Sequence, residues 1–445
     1  MEKIKVKKKN LLAYIIMTLS FMGSCSVFQG TAGTLQWAMF YYGGPVVLLV
    51  LSMYCVLKNR SVRITKQRRF FLGLFCLPRI IMLGYSCIVW CITKPAFPYI
   101  SRGITNTLFQ CVAYFCGVCI VCSEKEDILK VSMASSVTVF VLTYLMGFVQ
   151  NGVVFFRALN PLDEAADNFR KYTELHELAY IVGMCILMNL IVGKYTSLKK
   201  TNALFWASCV VFVIAWKRIG ILAVAMTYLY FVVFSRSKRK DKSFFVRVTG
   251  IIGTIVCLVY VSLIVSGAFV ASLKSLGIDM MGRDIIYGYF RKFANFSPAF
   301  FGKGVGFVGR QFDYTTREDL YNMVSIRALH NDFLKMYIDL GFVGFCLWVF
   351  WWLLKMPKIL QKRYGIKKTF VCLLFVLYAF VLYTTDNAEG YTYFQMQLSA
   401  FITYICCFYD EQKTRNKILE FTKKPEVVSH NDAIMPCRIN PEENE

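Results

Sequence analysis

The chain has 445 residues, 57% of them hydrophobic and 18% charged, and carries a net charge of +24 at neutral pH. So apolar a composition excludes a soluble multidomain protein and predicts an integral membrane protein. The charge does not point to nucleic acid, because the lysines and arginines sit in short clusters between apolar runs, as orientation signals for insertion do.

Seventeen cysteines would suit a disulfide framework in a small secreted domain, but nearly all lie inside apolar runs and none lies between 270 and 330. They are expected as small apolar packing residues. Cys116 and Cys119 have the CxxC spacing, yet no second pair and no polar histidine stand nearby, so neither metal nor cofactor is expected. The first apolar run, Leu11 to Gln29, follows MEKIKVKKK without a small-residue cleavage site, so it is expected to be a retained helix.

Measured against about 30 Å of hydrocarbon, the apolar runs predict an all-α polytopic protein of about twelve spans. They fall near 11–29, 35–57, 70–92, 104–122, 131–156, 175–193, 203–216, 219–234, 248–269, 331–354, 369–384 and 393–408. With the N-terminus inside, the inner segments hold 34 Lys and Arg and the outer ones 15, eight of them in one long loop. This asymmetry places both termini in the cytoplasm. The chain then divides into four regions: nine spans over 1–269, a long outer loop with short helices over 270–330, three spans over 331–408, and a cytoplasmic tail over 409–445.

Several connections carry less information. The 58–69 cluster is expected to touch anionic lipid heads. The outer segment 158–174, with Asp163, Glu164 and Asp167, either covers a site or merely connects.

The runs 203–216 and 219–234 would reach only about 21 and 24 Å at 1.5 Å per residue. One fused helix would put the basic segments 194–202 and 235–247 on opposite sides, so a hairpin is expected. Its tip, Trp216, Lys217 and Arg218, would lie below the outer surface, where two cations need partners or an anionic ligand.

The long outer loop carries MGRDIIYGYFRKF at 281–293, FFGKGVGFVGR at 300–310 and RALHNDFLKMYIDLGFVG at 327–344. Met281, Ile285, Phe290 and Phe293 fit helical spacing and predict a helix on the membrane surface, with Arg283, Tyr287 and Arg291 on its other face. A phosphate clamp by the guanidinium of Arg283 is one reading and a headgroup-facing surface the other, the latter preferred for Arg291 and Lys292. The glycines of 304–309 spell GxGxxG without a surrounding strand and crossover helix, so a dinucleotide fold is discounted. Either they permit a tight turn, or they bring backbone, Lys303 and Arg310 to a bound anion.

His330, at the junction of loop and helix, is the best-placed general base, since imidazole accepts a proton near neutrality. The alternative is an interfacial histidine that orders the loop. His176 begins an inward-running span, and no second histidine of a zincin motif follows it. Asp386 and Glu389, in the turn TTDNAEG at 384–390, are second-choice bases.

Taken in order, Lys217-Arg218-Ile219-Gly220, Gly282-Arg283-Asp284, Phe301-Gly302-Lys303-Gly304-Val305-Gly306, His330-Asn331 and Gly341-Phe342-Val343-Gly344 resemble the O-antigen ligase/polymerase family of bacterial surface polysaccharide assembly. The resemblance covers about 203–354. It implies a GT-C-like helical bundle in the bacterial cytoplasmic membrane, with its site facing outward and a polyprenyl-diphosphate-linked oligosaccharide as glycosyl donor. It implies that Arg218 and Arg283 bind the diphosphate and that His330 is the loop-end histidine. Here Lys217 precedes Arg218, where many members have a small hydroxyl residue, so either cation is a candidate for the phosphate. Tyr287, Arg310 and Asn331 complete the expected substrate-binding set. A polymerase extending a capsular, exopolysaccharide or O-antigen chain is the preferred reading, with a chain-length regulator and a flippase as partners. A ligase moving the finished glycan to another acceptor, and a lipid-linked oligosaccharide flippase, are the alternatives. No internal repeat supports a transporter.

Overall fold

The computed structural model describes residues 8–29, 35–58, 62–123, 128–159, 172, 175, 177–192, 202–236, 243–280, 282–315 and 328–407. Outside the described residues lie His176, the acidic group Asp163, Glu164 and Asp167, the inner segment 194–201, Met281, the loop stretch 316–327 and the 409–445 tail.

Every regular element among the described residues is helical. The first half contains α1 (Lys8–Met22), α2 (Ser26–Gln29), α3 (Leu35–Lys58), α4 (Val62–Thr93), α5 (Phe97–Ser123), α6 (Ile128–Asn151), α7 (Glu177–Val192) and α8 (Asn202–Ile214). The second half adds α9 (Arg218–Arg236), α10 (Ser243–Ser266), α11 (Ala268–Ser275), α12 (Arg283–Phe290), α13 (Phe307–Thr315), α14 (Asp332–Phe350), α15 (Met356–Tyr364), α16 (Ile366–Tyr383) and α17 (Thr392–Cys407). Each of the twelve apolar runs thus contains helix among its described residues. Seven helices among the described residues are long and apolar enough to cross a membrane by themselves. Four of the other runs form shorter apolar helices, α7 and α8 among them, and the last forms the 16-residue α17.

Burial separates these helices by role. Helix α7 is apolar all round and almost wholly buried, as a central helix must be. In α9 and α10, by contrast, Leu222, Met226, Leu229, Ile252, Ile255 and Val259 stay exposed, stripes suited to lipid. Helix α5 packs on α3, α4 and α17. Its approach to α17 depends on Gly117, where a methyl group would overlap the Met396 carbonyl and the Ser399 hydroxyl. Phe75 of α4 stacks on Tyr114 of α5 at 5.5 Å and on Trp352, just beyond α14, at 6.3 Å. Such pairs add about 0.5–1.5 kcal/mol each beyond area burial.

Two of the backbone irregularities bear on the site. Between α8 and α9 the helical path breaks, and Trp216 adopts φ 47°, left-handed and uncommon for a bulky residue. Helix α9 then leads away from the 384–391 turn, since its far end stacks Phe234 on Phe370 near the start of α16. Helices α8 and α9 therefore meet at a break that carries Lys217, and α9, at 19 residues, is one of the seven helices long enough to cross a membrane, longer than the 219–234 run predicts.

The second irregularity is in α14, where Gly341 takes φ 69° and ψ −174° and interrupts the helix. The groups freed there are taken by the glycine-rich turn. Lys303 N donates to Ile338 O at 2.9 Å, Gly304 N to Asp339 O at 2.8 Å, and Phe342 N to Phe300 O at 2.8 Å.

Candidate active site

His330 lies just before α14 with φ 49°, a left-handed conformation rare outside glycine and asparagine. The next residue, Asn331, caps the helix: its side chain accepts from Leu334 N at 2.9 Å. Together the turn and the cap fix where the imidazole leaves the chain. Its Nδ1 stands 3.5 Å from Asp386 Oδ1. Asp386 belongs to the turn between α16 and α17 and also receives the hydroxyls of Tyr180 and, at 3.0 Å, Tyr391. Burial alone would raise the carboxyl pKa, but the His330 contact and the Lys217 charge together hold it well below the usual range. Asp386 is therefore an anion facing Nδ1. A proton on Nδ1 satisfies that contact and leaves the Nε2 lone pair able to accept another.

Arg283 opens α12, half-buried, and its charge acts on Tyr287 one turn later. Burial raises the Tyr287 pKa, and the Asn331 hydrogen bond and Arg283 charge only partly offset that, so the phenol stays protonated. Tyr287 OH donates to His330 O at 3.3 Å and accepts from Asn331 Nδ2 at 3.4 Å. Asn331 Nδ2 also reaches Tyr260 OH at 2.9 Å, and that hydroxyl donates to Thr384 O at 2.7 Å. Residues from α10, α12, α14 and the 384–391 turn are thus linked around one imidazole.

The geometry separates the candidates that sequence grouped together. Lys217 is half-buried and near enough to act on Asp386, whereas Arg218 is exposed. Helix α12 buries Ile286, Tyr287 and Phe290 and leaves Ile285 exposed. The expected apolar face is therefore rotated: Tyr287 points inward and does not share an open face with Arg291, because its hydroxyl has partners inside the fold. The glycine turn uses its backbone internally. Gly306 N and Val308 N donate to the Asp339 carboxylate at 3.0 and 3.1 Å, and Val305 N donates to Ser86 Oγ at 3.0 Å. These amides are committed to protein partners, so tight docking against α14 is the reading that holds for the backbone. Lys303 and Arg310 flank it, both half-buried.

Glu389, the other acidic residue of the turn, is fully paired. Its carboxylate bonds Arg79 of α4 and, at 3.1 Å, Lys335 of α14, while its backbone N–H donates to Asp332 at 2.6 Å. Burial opposes ionisation, but the two cations pull its pKa down to about 2. Engaged at both oxygens, Glu389 suits anchoring better than proton transfer. Sequence reasoning did not single out Arg79 or Lys335, although a cation inside an apolar run is a signal in itself. Beside this anchor a cavity of about 510 Å³ opens among α5, α13, the start of α14 and the 387–393 segment.

Fold and site together define a multi-pass membrane protein, all-helical among the described residues, with a histidine–carboxylate pair on which Lys217 acts at one end of its bundle. Residues 203–349, about a third of the chain, match the family model described as O-Antigen ligase. The match spans α8 to α14 and so contains Lys217, Arg218, Arg283, Tyr287, Arg310, His330 and Asn331, but not Asp386. No curated protein matches the chain.

Proposed function

We propose that the protein is a polysaccharide polymerase: a glycosyltransferase of the cytoplasmic membrane that joins polyprenyl-diphosphate-linked oligosaccharide units on the outer face. The observation that carries this reading is the 3.5 Å approach of His330 Nδ1 to Asp386, with Lys217 acting on that carboxylate and Arg283 on the neighbouring Tyr287. In the reaction, His330 Nε2 takes the proton of an acceptor hydroxyl as its oxygen bonds to the anomeric carbon of the donor sugar. The bond from that carbon to the diphosphate breaks, and the diphosphate departs with the electron pair. Lys217 and Arg283, with the exposed Arg218 at the mouth, stabilise the charge that grows on it. Direct displacement inverts the anomeric centre.

The test is elongation from purified lipid-linked repeat units by reconstituted protein. His330→Ala should lower the rate on the order of 100-fold or more, and Lys217→Ala and Arg283→Ala should each lower it about tenfold or more. Elongation by His330→Ala at the parent rate would remove the proposed base. The family description supports a second reading, transfer of a finished glycan to a different acceptor. Product formed from lipid-linked units alone favours the polymerase, and product formed only with a second acceptor favours the ligase.

A further inference from the structure

The 510 Å³ cavity is adjacent to the histidine–carboxylate pair on both chain segments: Leu329, which precedes His330, and Asn387, which follows Asp386, line it. Tyr391 lines it too and donates to Asp386. Lys217, Arg218 and Arg283 are not in its walls. His330 and Asp386 do not line it either, so a ligand here lies beside the pair, one residue away along each of the two segments.

The wall contributed by α5 is a polar row at four-residue steps: Arg102, Asn106 and Gln110. The carboxylates around the cavity are already engaged, Glu389 by Arg79 and Lys335, Asp339 by two backbone amides, and Glu177 by Phe394 N at 2.7 Å. Among the described residues, Arg102 has no ion-pair or hydrogen-bond partner for its guanidinium, and Asn106 none for its amide. Gln110 is 6% exposed and donates to Glu389 O, while its Oε1 has no partner. Such a volume falls within the roughly 300–1,000 Å³ of small-ligand sites, and amides with aromatic neighbours suit polyhydroxylated ligands.

We propose that this cavity binds the acceptor sugar and that Arg102 selects one bearing a carboxylate. A single guanidinium without an anion among the described residues balances a single negative charge, and its planar fork matches a carboxylate. The assignment to the acceptor rests on the glycosyl-transfer reading, but binding is measurable without turnover.

Full-length protein in nanodiscs, with no lipid-linked donor present, would be titrated with a glucuronyl-terminated disaccharide and with its glucosyl counterpart. The acidic sugar should bind about tenfold tighter or more. Arg102→Gln should abolish that preference while leaving the neutral sugar's affinity unchanged, which also reports an intact fold. Asn106→Asp, which supplies Arg102 with a carboxylate one helical turn away, should abolish it too. Equal binding of the two sugars by the parent protein, or a preference kept by both variants, would overturn the proposal. Failure of elongation with this preference intact would count against the polymerase and not against the subsite.

Discussion

At the residue scale, the central contact is the one between a left-handed histidine and a buried carboxylate. Asp386 orients the imidazole and opposes the charge it gains when it accepts a proton, so its loss should be felt in turnover and little in binding. Asp386→Asn is expected to lower kcat on the order of 100-fold with KM within about threefold, read by steady-state elongation. A comparable rise in KM would instead mean that the turn had moved. The sequence singled out His330 at a loop–helix junction, Lys217 between two apolar runs and Arg283 in the long polar loop, and the fold brings His330 and Lys217 to one carboxylate. Sequence offered Asp386 only as a rival base, because the pairing joins residues 56 positions apart. The hydroxyls of Tyr180 and Tyr391 on the same carboxylate were invisible for that reason.

At the scale of elements, apolar periodicity located the helices well, and the errors lie where an element's orientation depends on a distant partner. Helix α12 is an example: spacing allowed two apolar faces, and contact with the segment around His330 selected the one containing Tyr287. The glycine-rich turn is another. Its positive φ values, 84° at Gly302, 90° at Gly304 and 93° at Gly306, arise from the need to lie against the interrupted α14. At Gly341 an added Cβ would run into the backbone of residues 300–302 in a conformation only glycine adopts readily. Gly341→Ala should therefore cost more than about 2 kcal/mol, seen as loss of the monodisperse peak in size-exclusion chromatography. Gly73→Ala, with open space around the site, should leave that peak unchanged.

At the scale of the whole molecule, Arg79, Lys335, Asp332 and Glu389 tie α4 and α14 to the last turn through buried charge. The folded pKa of Glu389, about 2, lies below its ordinary 4.5. Its stabilising contribution is thus complete above pH 4.5 and is lost as pH falls from there toward 2. Asp386, also depressed, adds to the loss below its ordinary 3.8. The Glu389 and Asp386 contributions to thermal stability in detergent should be flat between about pH 5 and 7 and fall below about pH 4.5, read as the Tm difference between the parent and Glu389→Gln at each pH. Glu389→Gln should start from a lower Tm and show a shallower decline.

The same four charges bear on how the chain is assembled. During synthesis, Arg79 enters the bilayer on an apolar segment well before residue 389 has left the ribosome, and until then its guanidinium lacks its anion, while Lys335 has only Asp332 on its own helix. Closure of the final pair of helices brings the missing anion, so the early segments can settle only after the late ones arrive, and a product cut short before that point leaves Arg79 an orphan charge.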